Sequence, residues 1–413
     1  MSLSRTVDSL SLGKIVVIRE QLLKAQSAGQ KVYRFESGDP SFSVAPHVLE
    51  ALKRSADDGK THYIPNNGIP ELKSAIYDKV RTKNKIPINS ENDIFVTNGA
   101  MHALFVTFAS LLDEGDEVIV PDPMWTEVVE NIKLAGGVPI GIPLRFENNF
   151  TYDISDIARR INSRTKAIFI NTPHNPTGAV LSRNQLSELV ALAERHNLWI
   201  VSDEAYEDVI YTPEGHCSIG SLASDNANKI ISVFSFSKSH AMSGLRVGYI
   251  VTTNKLLHDR IPKLLRCTIN GVNSIGQWAA LAALNGGQLH LQVMRSEYEE
   301  RRDLMVRALS GIDGIRIFEP KGAFYLWTEL ESTFLDEIGC SSADELSAAL
   351  AANGLGSAPG DAFGETCANS IRFAFSCNTS MVREGSAVLR AFLMNDAQDA
   401  LAGTSQISMA GGK

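Results

Sequence analysis

The sequence predicts an α/β fold that combines a large, mostly parallel sheet with a second, smaller α+β domain. Strand-sized apolar runs recur through the middle of the chain, and helix-like stretches separate most of them. This alternation is typical of crossover units, which build a parallel sheet that helices cover on both faces. A length of 413 residues also exceeds what one ordinary core accommodates, so we expect two or three domains.

Six segments of the middle region predict strands of the large sheet, because each is short, apolar and rich in β-branched residues. They are 93–97, 117–121, 166–171, 198–203, 229–234 and 247–252. The stretch 183–197 predicts a connecting helix, since its apolar residues recur at the spacing of one buried face. Those residues are Leu186, Leu189, Val190 and Ala193.

The two ends of the chain differ from this pattern. Residues 14–28 predict a helix, and the turn-rich SGDPSF that follows is assigned to the smaller domain. Near the C-terminus, a charged helical segment at 293–309 precedes strand-like segments at 322–330 and 369–376. The predicted organisation is an N-terminal arm with part of the small domain (1–48), a large domain (49–288), a small C-terminal domain (289–396) and a disordered tail (397–413).

Composition and charge exclude several classes of function. The formal net charge is −8, so no global positive field attracts a nucleic acid. No apolar run approaches the roughly 18 residues that cross a bilayer, and the N-terminus lacks the apolar core of a signal peptide. We therefore expect a folded cytoplasmic protein that binds neither nucleic acid nor membrane.

The cysteines predict neither disulfides nor a metal site. Their number is odd and no two have the CxxC spacing, which predicts buried, reduced thiols. They are Cys217, Cys267, Cys340, Cys367 and Cys377.

Polar residues follow four of the predicted strands, at the edge where sheets of this kind bind ligands. Lys238 comes directly after the strand at 229–234. An amine at this place forms an imine with an aldehyde cofactor if burial and neighbouring cations lower its pKa. A lone lysine is more often a solvated surface residue, so the interpretation depends on its neighbours.

Asp203 ends the apolar strand at 198–203 and directs a carboxylate to the same edge. A buried carboxylate costs several kcal/mol unless a cation pairs with it, and a pyridinium nitrogen is such a cation. The alternative is that Asp203 caps the following helix. Tyr206 and Asn175 are candidate donors to a cofactor ring oxygen, although each alone is more typical of a structural tyrosine or a turn.

A strand-to-helix turn predicts an anion site. Gly99, Ala100 and Met101 open an apolar helix, so their backbone N–H groups and the helix dipole favour a phosphate. Ser235 and Arg246 add a hydroxyl and a charge-assisted donor. Without these partners the glycine would indicate no more than a tight turn.

Two further residues are candidates for ligand contact. Trp125 follows a Pro-Asp-Pro turn and is either a core residue or a ring that stacks on the cofactor. Arg372 alternates with apolar neighbours in a segment that we predict to be half-buried. It should bind a carboxylate, either of an internal Asp or Glu or of the substrate.

Together these motifs resemble the class I aminotransferases of pyridoxal-5′-phosphate (PLP) fold type I over roughly residues 10–395. The matching order is Asn175-Pro176-Thr177-Gly178, Asp203 with Tyr206, Ser-x-Ser-Lys238 with Arg246, and then Arg372. The resemblance implies a seven-stranded sheet, PLP as cofactor and an aspartate aminotransferase-like homodimer. It also implies a ping-pong transfer from an L-amino acid to a 2-oxo acid such as 2-oxoglutarate.

The resemblance also implies residue roles. Lys238 is similar to the Schiff-base lysine and proton shuttle, and Asp203 and Tyr206 act with it in catalysis. The implied cofactor contacts are Gly99, Ala100, Met101, Trp125, Asn175, Asp203, Tyr206, Ser235, Ser237, Lys238, Arg246 and, across the dimer interface, Tyr63. The implied substrate contacts are Gly38, Trp125, Asn175 and Arg372.

One departure from the family leaves the amino donor open between aspartate-like and aromatic or neutral amino acids. Aspartate-type members commonly carry a lysine that binds the second carboxylate, and Met101 followed by His102 stands at that place. Arg266 is a candidate substitute cation, unless it serves only its helix end.

Two other functions compete with transamination. A PLP lyase or synthase on the same fold would use the same Lys238. A regulator fused to a DNA-binding domain is disfavoured, because no basic helix-turn-helix precedes residue 35 and the net charge is negative.

Overall fold

The computed structural model describes residues 3–11, 13–223 and 229–394, so the predicted tail at 397–413 lies outside the described residues. Within these ranges the larger sheet has seven strands in the order β1-β7-β6-β5-β4-β2-β3. They are β1 Ile94–Thr97, β2 Glu117–Asp122, β3 Val138–Pro143, β4 Thr165–Asn171, β5 Trp199–Asp203, β6 Ile230–Ser235 and β7 Gly248–Val251.

Six of these strands were predicted to within two residues, and the sequence pattern missed β3. This strand contains Gly141 and the prolines Pro139 and Pro143, which argue against a strand in a sequence. Its place at the edge of the sheet explains why prolines are tolerated, because it pairs only with β2.

The direction of the strands brings the carboxyl ends of β4, β5 and β6 to the same edge of the sheet. Strands β2 to β6 run parallel, and β7 runs antiparallel to both β6 and β1. Asn171 at the end of β4 pairs with Asp203 at the end of β5. Ser235 ends the neighbouring strand β6, so all three residues lie at one edge.

Helices cover both faces of this sheet, and further helices pack around the second sheet. In the described ranges they are α1 Arg5–Asp8, α2 Lys14–Ser27, α3 Pro46–Asp57, α4 Pro70–Thr82, α5 Gly99–Leu111, α6 Thr126–Leu134, α7 Ile154–Arg160, α8 Arg183–Arg195, α9 Phe236–Ser239, α10 Lys255–Thr268, α11 Ser274–Asn285, α12 Leu289–Leu309, α13 Ser332–Glu337, α14 Ala343–Ala352 and α15 Thr379–Leu393. The four apolar residues predicted to face the core from α8 are all buried.

A second, antiparallel sheet of four strands has the order β10-β11-β9-β8. Its strands are β8 Ile315–Phe318, β9 Tyr325–Leu330, β10 Ala358–Pro359 and β11 Ser370–Ala374. The N-terminal segment joins this region, since Tyr33 forms a bridge to Leu355 and packs with Phe35 in the same core. The domain boundaries stay a prediction.

The half-burial expected for the segment around Arg372 is wrong, because every residue of β11 is buried. Ile371 and Phe373 pack into the core formed with α12 and α15. Trp327, which pairs with Arg372, packs instead against residues of the large sheet. Both faces of the strand are therefore covered.

All five cysteines are free thiols, but the expectation that they are buried is wrong in part. Cys340 and Cys367 are buried, Cys217 and Cys377 are half-buried, and Cys267 is exposed. Helix α10 buries Leu257, Ile261 and Leu265 along one face, and Cys267 lies two residues beyond that stripe on the solvent side.

No helix in the described residues is long and apolar enough to span a membrane. No group of three or more His, Cys, Asp or Glu side chains in the same ranges is arranged to hold a metal ion.

Candidate active site

A cavity of about 400 Å³ lies at the carboxyl edge of the large sheet, where the second sheet and the N-terminal segment close over it. It brings together most of the residues that the sequence singled out. These are Gly38, Ala100, Met101, Trp125, Asn175, Asp203, Tyr206, Ser235, Ser237, Lys238, Arg246 and Arg372.

Lys238 lies in the short helix α9 and projects its amine into this cavity. The amine donates to the carbonyl of Gly38 at 2.7 Å. Desolvation lowers the pKa of Lys238 to about 8, with Asp39 opposing and Arg246 and Arg372 contributing to the decrease. The interpretation as an ordinary solvated lysine is therefore disfavoured, because a substantial fraction of the amine is neutral and nucleophilic near physiological pH.

The Asp203 carboxylate is buried, and no cation in the described part of the chain forms an ion pair with it. The residue is 5% exposed, and its Oδ1 accepts a hydrogen bond from the backbone N–H of Ala205 at 3.0 Å. This local bond resembles the predicted capping role, but it leaves the charge uncompensated. Burial raises the pKa of Asp203 to about 6, opposed by the Ala205 hydrogen bond and reinforced by Glu204. A cationic ligand group here would compensate the buried charge.

Arg372 is held in place by neutral groups. Its Nη1 donates to Asn175 Oδ1 at 2.9 Å, and its Nη2 donates to the carbonyl of Glu36 at 2.7 Å. Its Nε has no hydrogen-bond partner among the described residues. The guanidinium lies 4.4 Å from the ring centre of Tyr325.

No described Asp or Glu forms an ion pair with Arg372, so the internal carboxylate that the sequence left open is not found. A buried guanidinium with an unused N–H group is suited to a carboxylate that arrives with a ligand.

Two residues that organise this site were not predicted. Asn171 accepts from the Asn175 backbone N–H at 2.8 Å and donates to the Asp203 carbonyl at 3.0 Å. Tyr325 forms a hydrogen bond with Tyr206 between their hydroxyls at 2.7 Å. The rule that polar residues at strand ends bind ligands would have found Asn171, whereas only tertiary packing brings Tyr325 to Tyr206.

The expected anion site is built around Arg246 and the start of α5. Gly99 has φ of 78°, and a Cβ at this position would lie 2.5 Å from Arg246 Nη2. Gly99 does not line the cavity itself, but its missing side chain lets the guanidinium approach the helix. The hydroxyls of Ser235 and Ser237, this guanidinium and the first N–H groups of α5 form a set suited to a phosphate.

Tyr63 and Arg266 are the predicted residues that lie away from the cavity. Tyr63 is 90% exposed and lines a separate groove with residues 269–275. Arg266 is exposed near the end of α10. Within one chain, neither of them contributes to the site.

Among the described residues of this one chain, no cation stands near Met101 in place of the lysine of aspartate-type members, and whether Arg266 reaches the site of a partner subunit stays a prediction. Met101 lines the cavity and its sulfur accepts from Asn131 at 3.1 Å. His102 contacts Thr268 at 2.8 Å, and desolvation lowers its pKa to about 4, so its imidazole is neutral at physiological pH.

The sheet and cavity define a class of protein, an α/β enzyme that presents a reactive lysine amine beside a buried carboxylate and a buried guanidinium. Such a site is suited to covalent chemistry on amino groups. The chain belongs to the family of class I and II aminotransferases, whose family model matches residues 30–389. The predicted aminotransferase activity is thereby confirmed.

Individual relatives match over nearly their whole length. The chain is 36% identical over 369 residues to an aspartate aminotransferase of Pyrococcus horikoshii, covering 89% of this chain and 92% of the relative. An alanine aminotransferase from Pyrococcus furiosus aligns with a TM-score of 0.89 at 30% identity, over 95% of this chain and all of that one. The Thermus thermophilus aspartate aminotransferase solved with maleate gives 0.88 at 30% identity, with the same coverage. The predicted type I fold is confirmed.

Proposed function

We propose that this aminotransferase binds PLP at Lys238 and moves an amino group from an L-amino acid to a 2-oxo acid such as 2-oxoglutarate. One observation supports the proposal: a single cavity holds an amine with a lowered pKa, a carboxylate that pairs with no described cation, and a set of hydrogen-bond donors suited to an anion. These three features match the aldehyde, ring nitrogen and phosphate of PLP.

Each part of the cofactor has a candidate partner. Ser235, Ser237, Arg246 and the first N–H groups of α5 would hold the phosphate, and Asp203 would pair with the ring nitrogen. Asn175, Tyr206 and Trp125 would contact the ring oxygen and the ring face. Bound PLP supplies an aldehyde that accepts amines and a protonated ring that withdraws electrons from the substrate α-carbon.

The remaining steps belong to side chains of this protein. Arg372 binds the substrate α-carboxylate with its unused N–H group, and the Gly38 N–H adds a second donor. When it is not bonded to the cofactor, the Lys238 amine would accept the proton from the substrate α-carbon and hold it for transfer. A pKa of about 8 suits a group that must accept and release a proton near neutral pH.

The two half-reactions are observable separately in single-turnover absorbance measurements. We expect that a reactive L-amino acid removes the visible absorbance of the bound cofactor and releases one 2-oxo acid per site. Added 2-oxoglutarate should then restore the absorbance. Release of many equivalents of 2-oxo acid without an added acceptor would contradict transamination and indicate a lyase. Absence of a response to concentrated aspartate would exclude aspartate as the donor.

We also propose that the protein acts as a homodimer in which Tyr63 completes the phosphate site of the partner subunit. The large exposed fraction of this aromatic side chain supports the proposal, because a tyrosine so placed usually covers its ring against another surface. Tyr63 does not line the cavity of its own chain.

Mixed dimers test the placement of Tyr63. Tyr63→Phe alone should weaken PLP binding roughly 10- to 100-fold, as expected for losing one hydrogen bond to a charged group. When Tyr63→Phe and Lys238→Ala subunits exchange, each hybrid should regain one site with wild-type PLP affinity, since the Lys238→Ala subunit supplies Tyr63. Hybrids without any high-affinity site would contradict a contribution across the interface.

A further inference from the structure

Beyond the groups assigned to PLP and the α-carboxylate, the cavity has a wall of mixed character. Helices α2 and α6 provide most of it, through Ile15, Val16 and Arg19 on one and Glu127 and Val128 on the other. Most of these side chains are apolar. The side chain of a bound substrate therefore meets an apolar wall that carries two opposite charges.

Glu127 carries a carboxylate that forms no ion pair with any described residue. Within the same ranges, its one hydrogen bond from another side chain comes from the neighbouring hydroxyl of Thr126 at 3.3 Å. Although the residue as a whole is exposed, desolvation at the cavity wall raises the pKa of Glu127, and the charge of Arg372 opposes the increase. Binding of a substrate α-carboxylate to Arg372 offsets that favourable charge. Glu127 then needs a positive group at the other end of the same substrate.

Arg19 is the group on this wall that would instead favour an anionic substrate, because it could pair with a carboxylate in the substrate side chain. It is exposed on α2, and no hydrogen bond or ion pair is formed by it among the described residues. A guanidinium exposed to water gains little from an added ion pair, whereas the cavity wall desolvates the carboxylate of Glu127.

Of the two other carboxylates that line the cavity, Glu36 pairs with Arg34, whereas Asp39 accepts from the Ser243 hydroxyl and pairs with no described cation. Met101 and neutral His102 provide no cation. The charges around the substrate side chain thus favour a cation.

We infer that Glu127 determines the side-chain specificity of this enzyme by selecting an amino donor that carries a positive charge at the end of its side chain. The inference rests on the proposed transamination and narrows its donor. A donor with α-carboxylate, α-amine and terminal cation would pair with Arg372, the cofactor and Glu127 in turn.

Non-reactive ligands test this charge preference without turnover. We choose 4-guanidinobutanoate, heptanoate and heptanedioate, which share a carboxylate and a similar length but end in a cation, a methyl group and an anion. None has a primary amine that would react with an aldehyde. Calorimetry on the PLP-loaded enzyme should show 4-guanidinobutanoate binding at least 10-fold more tightly than heptanoate.

Glu127→Gln should reduce this ratio to about one. Glu130→Gln is the matched control, because it removes the same charge three residues along α6 from a residue that pairs with Lys133 outside the cavity. It should retain the preference for the cation. Tightest binding of heptanedioate, or an unchanged ratio in Glu127→Gln, would overturn the inference.

Donor kinetics provide the second measurement. The kcat/KM ratio of L-lysine or L-arginine to L-norleucine should exceed one in the wild type and fall at least 10-fold in Glu127→Gln. A wild type that reacts with norleucine but with no cationic donor would overturn the specificity inference and leave transamination intact. An enzyme that reacts with no amino acid of any class would overturn the transamination itself.

Discussion

Lys238→Ala is expected to abolish transamination. The variant loses both the amine that bonds to the cofactor and the base that moves the α-proton. General acid–base catalysis alone contributes about 10² to 10⁴-fold, so loss of both roles should lower the rate by at least about 10⁴-fold. The visible absorbance that arises when the cofactor aldehyde bonds to a lysine should also disappear. A surviving band with normal turnover would contradict the assignment.

A control variant distinguishes loss of the reaction from loss of the fold. Lys229→Ala is the control, because Lys229 lies just before the strand that leads to Lys238 and donates to Asn197 at the surface, away from the cavity. It should retain the band and the activity. In the wild-type apoprotein, the rate of PLP capture should increase with pH up to about 8, where the amine loses its proton. A rate that increases only above pH 10 would mean that burial does not activate the amine.

Asp203→Asn is expected to leave PLP bound but to slow proton removal from the substrate by about 10²- to 10³-fold. An amide cannot hold the ring nitrogen in its protonated form, so stabilisation of charge in the transition state is lost, on the order of 3 to 4 kcal/mol. Stopped-flow absorbance with an α-deuterated donor measures this step directly. The isotope effect should increase, and unchanged turnover would remove Asp203 from this role.

The same substitution, which slows catalysis, should increase the stability of the apoprotein. The folded-state pKa of Asp203 is raised to about 6 from an ordinary value of 3.8, so its ionisation costs stability above pH 6, on the order of 3 kcal/mol. This cost decreases as the pH falls from about 6 to about 3.8, and it is absent below that range, where the folded and unfolded chains are both protonated. Asparagine removes it at every pH. Apo Asp203→Asn should therefore unfold at a higher denaturant concentration than the wild type at pH 8, and no difference there would contradict an uncompensated charge.

Sequence alone predicted the features that depend on local pattern and on the ends of strands. Asp203 and Lys238 were predicted because parallel strands deliver their carboxyl ends to one edge, where ligands bind. The same rule applied to Asn171, which was overlooked. The strand Val138–Pro143 was not predictable, because its glycine and prolines are tolerated only through an edge position that tertiary structure defines.

Other parts of the site depend on contacts between distant segments. Tyr325 meets Tyr206 across 119 positions of sequence, and no pattern in either segment indicates the pairing. Arg19 and Glu127 reach the cavity from helices whose packing no periodicity specifies. The full burial of Arg372 likewise follows from the contact of two sheets, whereas its own strand suggested exposure on one face.

The segment at 36–38 supplies carbonyl oxygens to both of the cations that the substrate and cofactor would use. Arg372 donates to the Glu36 carbonyl, and Lys238 donates to the Gly38 carbonyl. These oxygens act as a partial substitute for water around two buried charges. An incoming carboxylate therefore meets a guanidinium that is already partly solvated, which moderates its affinity and makes departure of the product correspondingly easy. An enzyme that must release one acid before it admits the next benefits from this moderate affinity.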